Sequence, residues 1–198
     1  MTPIMRVFLF TSIYSITIPV IVLVINLFTK RKKPSIEFIA FSLYLSLAFV
    51  TEMVSFSLAV HRINNLWISH FYFPIEFFLL AGMLNSWMEN DKKISNYILG
   101  IVIVSAILHL FSDYNAINIY AYLIESITLF LLDIYTVYKS DRLEQHFWIA
   151  IAITLYFGCT TITVPLKIYG ILPAFYIELA INLITNTILG ISFIWKRI

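Results

Sequence analysis

The chain has 198 residues, 61% of them hydrophobic and only 12% charged, with a mean hydropathy of +0.90 and a net charge of +2. A soluble domain is about 25% charged, so this composition excludes a soluble fold and leaves an integral membrane protein. The small net charge, with no basic patch interleaved with aromatics, excludes a nucleic-acid partner. A lone cysteine, Cys159, excludes an internal disulfide or an all-thiolate metal site.

A helix needs about 20 apolar residues to cross hydrocarbon. On that rule the sequence predicts an all-α, polytopic membrane protein with seven transmembrane helices, forming a single domain over residues 1–198. Helix 1 is expected over residues 7–28, ahead of the run Lys30-Arg31-Lys32-Lys33. It is longer than the apolar core of a signal peptide and has no small-residue cleavage site before Lys30, so it is expected to stay in place. Helices 2 to 7 are expected over 36–60, 66–88, 94–111, 116–138, 146–166 and 171–195. The intervening loops run to about eight residues at most, short enough to make consecutive helices antiparallel neighbours.

Lys and Arg concentrate in cytoplasmic loops. With the first loop inside, the inner side holds Lys30, Arg31, Lys32, Lys33, Lys92, Lys93, Lys139, Arg142, Lys196 and Arg197, and the outer side Arg6, Arg62 and Lys167, ten against three. The sequence therefore predicts an outside N-terminus and a cytoplasmic C-terminus, in the cell (inner or plasma) membrane.

Helix 3 carries Glu76 near its middle, and a charge at that depth costs a few kcal/mol even on lenient insertion scales. Phe73-Pro74-Ile75-Glu76 is echoed by Tyr122-Leu123-Ile124-Glu125 and by Phe175-Tyr176-Ile177-Glu178. Glu52 on helix 2 joins these acids. The topology puts Glu52, Glu76, Glu125 and Glu178 roughly 10–16 Å below the outer boundary. Tyr72 and Ser69 fall on the Glu76 face, Asn118 and Tyr122 on the Glu125 face, and Asn182 and Thr185 on the Glu178 face. Lipid cannot solvate a carboxylate, so the acids are expected to converge on one polar cavity, where like charges keep them from all ionising together. No Lys or Arg is expected at that depth. The simpler alternative is neutral carboxyls bonding across helices as packing elements.

His70 and His109 belong to the outer half as well. Imidazole with carboxylate suits Zn, Mn or Fe, so a divalent metal is a candidate cofactor, with His70 and His109 as its ligands. Against it, His70 lies about 120° around helix 3 from Glu76, and no HExxH-like pair occurs. Asp133, near the inner end of helix 5, reads as a residue reaching the interface beside Lys139, or else as an inward extension of the polar path. Pro19, Pro74 and Pro165 lie within helices, where each removes a backbone hydrogen bond.

The stretch NNLWISHFYFPIEFFLL resembles one found in small seven-helix bacterial integral membrane proteins of unknown function. The resemblance covers helices 2 and 3 and implies the seven-helix architecture; it implies no activity. Retinal proteins share the topology, but helix 7 here lacks a buried lysine. Seven-helix zinc hydrolases need paired histidines that this chain does not have.

The leading expectation is a bundle that binds a small ligand or cation from the outer side through Glu52, Glu76, Glu125, Glu178, Tyr72, Tyr122 and Asn182, as a sensor, transport or interaction module. A membrane-embedded, metal-dependent hydrolase acting on lipid is one alternative. A proton-coupled carrier is the other. The partners expected are the lipid bilayer, a small ligand, cation or proton, and a membrane partner protein or second copy.

Overall fold

The computed structural model describes residues 10–11, 14–29, 36–88, 91–139 and 145–195. Within them the regular structure is helical: α1 (Thr17–Thr29), α2 (Ile36–Val60), a 3-10 turn (Leu66–Ile68) running into α3 (Ser69–Trp87), α4 (Lys92–Leu110), α5 (Ile119–Lys139), α6 (Gln145–Ile168) and α7 (Leu172–Trp195). The six helices α2 to α7 are long and apolar enough to cross a membrane. The protein is thus an all-helical bundle of the polytopic membrane kind. The first expected span falls partly outside the described residues, and α1 covers its second half, ending one residue past it at Thr29. The Lys30–Lys33 run, Arg6, Arg142, Lys196 and Arg197 also lie outside them.

Local chemistry fixes the helix ends. Asp91 caps α4 by accepting the Lys93 N–H at 2.7 Å, so the helix starts two residues before the apolar run does. Asn118 caps α5 by accepting the Ala121 N–H at 3.1 Å, which moves its start past the expected residue 116. The turn that closes helix α6 is centred on Gly170, whose φ of 76° is left-handed, with Ile171 N–H bonded to Leu166 O at 3.0 Å and Gly170 N–H to Lys167 O at 2.9 Å. The same pair of bonds closes α2 around Arg62 at φ 58°, a conformation a side chain adopts at some cost.

Beside an apolar core, burial takes in ionisable groups and leaves large apolar side chains outside, unlike a soluble protein. Glu76, Glu125, Asp133, His70, His109, Ser105 and Thr136 are buried, while Phe28, Leu110, Phe111, Tyr138 and Ile162 are exposed. Hydrocarbon as the surrounding solvent accounts for both halves of that pattern.

The chain divides into two compact units. The first comprises Met1–Lys33 and Asp133–Ile198, the second Pro34–Leu132, so the boundary falls within α5. In the first, α7 packs on α6 and on α1. The α1 contact is close: a Cβ on Gly190 would sit 2.6 Å from Ile18 Cγ2, and Asn186 Nδ2 donates to Ser15 Oγ at 2.8 Å. In the second, α3 packs on α2 and α4, with Phe41 and Leu45 of α2 and Phe77, Leu80 and Leu84 of α3 buried. Asn85 Nδ2 bonds Ser95 Oγ at 2.7 Å near the α3–α4 link, and Asn64 Nδ2 bonds Asn115 Oδ1 at 2.9 Å between the two opposite loops.

Candidate functional site

The polar cluster forms in the Pro34–Leu132 unit. On α3, Tyr72 and Glu76 are one turn apart, and the Tyr72 hydroxyl donates to Glu76 Oε1 at 2.8 Å, as the spacing predicts. Glu76 is buried and within electrostatic reach of Glu125. Helix α3 runs unbroken through Pro74. Glu52, on α2, is half-buried in the same unit.

His70, at the second position of α3, turns toward the far end of α4. Its Nε2 meets the Ala116 carbonyl at 2.8 Å, and its Nδ1 meets His109 Nδ1 at 3.2 Å. The two rings cross at 87° with centroids 5.2 Å apart. Tyr114 lies edge-on to His70 at 5.0 Å and stacks on Phe71. His109 Nε2 is 3.7 Å from Glu125 Oε1 and makes no hydrogen bond among the described residues. Ser105, one turn before His109 on α4, donates its hydroxyl to the same Glu125 oxygen. Phe73 closes the space between, 5.0 Å from the Tyr122 ring and 6.3 Å from His109.

These contacts fix where the protons sit. A carbonyl only accepts, so His70 Nε2 carries a hydrogen toward Ala116. In neutral His70 the Nδ1 is then a lone pair, and the hydrogen between the rings belongs to His109 Nδ1. His109 Nε2 is left as a lone pair directed at Glu125, or as an N–H if the imidazole is charged. The result is a row: Ser105, Glu125, His109, His70, Ala116 carbonyl.

The row bears on the expected metal. Both nitrogens of His70 are engaged, which leaves His109 Nε2 as the lone pair of this pair open to an ion. Among the described residues, no three His, Cys, Asp or Glu are arranged to hold a metal.

Other expected residues have different surroundings. Glu178 belongs to the other unit and pairs with Lys167, Nζ to Oε2 at 2.5 Å. The expectation that no Lys or Arg would reach the acids fails here. Helix α6 extends to Ile168, and the tight turn at Gly170 brings the Lys167 side chain back onto α7. Asn182, one turn beyond Glu178, has a buried Oδ1 without a hydrogen-bond partner among the described residues. Thr185 instead donates to Ala152 O at 3.5 Å. Asn118 is engaged as a cap: its Nδ2 donates to Leu108 O at 2.8 Å and to Ser112 Oγ, which ties the end of α4 to the start of α5. Asp133 has 0% exposure and neither carboxyl oxygen has a hydrogen-bond partner among the described residues, so it does not reach solvent beside Lys139 as expected.

Sequence reasoning missed Ser105, Tyr114 and the Ala116 carbonyl. Ser105 left a signal in its four-residue spacing from His109 on an otherwise apolar helix. The carbonyl left none. No family model, no curated protein and no solved structure matches the chain.

Proposed function

We propose that the protein is a seven-span cell-membrane protein, N-terminus outside and C-terminus cytoplasmic, whose buried cluster binds a small ligand or cation arriving from the outer side. The observation that carries the reading is the meeting of Glu125, His109 and His70 from three helices, with Glu76 and Tyr72 beside them. Burying such groups costs free energy that packing alone repays poorly. In the proposed orientation, the Asn64–Asn115 contact joins two outer loops above the cluster. A sensor or a transport component fits the short loops, which hold no separate domain.

A proton-coupled carrier is the second reading, favoured by the hydrogen-bonded imidazole pair. A metal-dependent lipid hydrolase has less support, because the two imidazoles are engaged with each other and with backbone. The test is a melting-temperature titration of purified protein with Na⁺, K⁺, Mg²⁺, Ca²⁺, Zn²⁺, Mn²⁺ and small organic cations, and with hydrogen ions across a pH series. A saturable rise is expected for the wild type, reduced in Glu76→Gln and Glu125→Gln. A rise of equal size in both variants would remove the cluster as the binding site.

A further inference from the structure

We propose that the cation taken up by the Glu125–His109–His70 row is a proton, seated on His109 Nε2 between that imidazole and Glu125. The inference rests on reading the cluster as a binding site and names what binds there. Its ground is the inventory of donors and acceptors. The Ala116 carbonyl, 2.8 Å from His70 Nε2, requires a hydrogen on that nitrogen. The 3.2 Å contact between the two Nδ1 atoms needs one hydrogen. Two neutral imidazoles supply both, with nothing left over for His109 Nε2. That nitrogen is buried, lacks a hydrogen-bond partner among the described residues, and faces a carboxyl oxygen at 3.7 Å. A lone pair opposite an acceptor is an unfilled position for a single hydrogen.

A metal ion fits this position poorly. It needs three or more donors, and the row offers one ring nitrogen and one carboxyl group. A proton needs only the two. On uptake, a hydrogen ion from water bonds to His109 Nε2, the imidazole becomes a cation, and the Glu125 carboxylate balances it. The charge is shared with His70 when the inter-ring hydrogen shifts to His70 Nδ1. Release reverses these steps, so atoms and charge balance without a co-reactant. Charge-assisted N–H···O contacts run at about 2.7–2.9 Å, so uptake draws the last turn of α4 toward α5.

Every element around His109 contributes groups that bear on its charge. Helix α3 brings His70, Tyr72 and Glu76; the loop brings Tyr114; α5 brings Tyr122 and Glu125; α2, packed on α3, carries Glu52. Helix α4 itself adds the Ser105 hydroxyl, which holds Glu125 Oε1 in place.

The experiment is ring nitrogen-15 NMR of histidine-labelled full-length protein in lipid nanodiscs across a pH series, with His109→Gln used to assign signals. At the alkaline end, His70 is expected with hydrogen on Nε2 and His109 with hydrogen on Nδ1. Acidification should then protonate His109 Nε2, and His70 should respond at the same midpoint. Glu125→Gln should lower the doubly protonated His109 population at a fixed acidic pH about tenfold. Should that variant fail to fold, Ser105→Ala keeps the carboxylate and should still change the titration. The wild-type tautomers need no variant at all. Hydrogen on His109 Nε2 at the alkaline end, or a titration indifferent to both substitutions, overturns the proposal. Metal and organic cations added at fixed pH report separately on the broader binding function. Stabilisation by those cations with the wrong tautomers removes only the proton assignment.

Discussion

His70 and His109, 39 residues apart in the chain, meet nitrogen to nitrogen at 3.2 Å in a buried T-shaped pair. The contact holds the start of α3 against the end of α4, and the Ala116 carbonyl extends it into the loop before α5.

Removing one ring should therefore be felt by both neighbours. His70→Ala frees the Ala116 carbonyl to water, because Ala116 is exposed, and leaves the buried His109 Nδ1–H without its His70 partner. An unsatisfied buried group of that kind costs about 1–3 kcal/mol. His70→Gln, which can still reach one of them, should lose less. Unfolding midpoints in mixed detergent give the order; equal losses would mean the ring acts by volume alone.

Tyr72→Phe deletes the 2.8 Å bond to Glu76 and keeps the ring. Stability should fall by about 1 kcal/mol. The Glu76 carboxyl infrared band, identified by its disappearance in Glu76→Gln, should move. Because Glu76 and Glu125 are carboxyls buried in the same unit, Glu76→Gln should also alter the carboxyl infrared bands of the remaining acids. Independent carboxyls would show no such cross-effect.

Gly190→Ala places a methyl 2.6 Å from Ile18 Cγ2. A β-branched side chain cannot swing that carbon aside without changing χ1. A loss of about 1–3 kcal/mol is expected, and Ile18→Ala in the same chain should recover part of it. No recovery would mean that α1 and α7 do not meet at this point.

The proposed orientation is open to cysteine labelling in a Cys159→Ser background. A cysteine replacing Lys32 should resist an impermeant reagent applied from outside, and one replacing Asn64 should react. The reverse pattern would invert the topology and put the Asn64–Asn115 loops on the cytoplasmic side.

The helices were legible because membrane burial writes itself as long apolar runs, and α2 to α7 lie close to where those runs fall. Tyr72 and Glu76 were legible because one turn of helix is local geometry. The His70–His109 meeting was not, since it depends on how two helices cross rather than on the spacing within either. Lys167 follows the last apolar residue of the 146–166 run, which on hydropathy alone reads as a loop position. The left-handed Gly170 lets α6 continue to Ile168 and still turn back within three residues, which is how Glu178 acquires its counter-ion. Spacing puts Asn118 on the Glu125 face, but its side chain serves the helix start.

The Asn64–Asn115 bond has a mechanical consequence. Asn115 is followed directly by Ala116, whose carbonyl grips His70. A tug on the turn after α2 is therefore relayed through two hydrogen bonds to the imidazole pair, with one peptide unit between them.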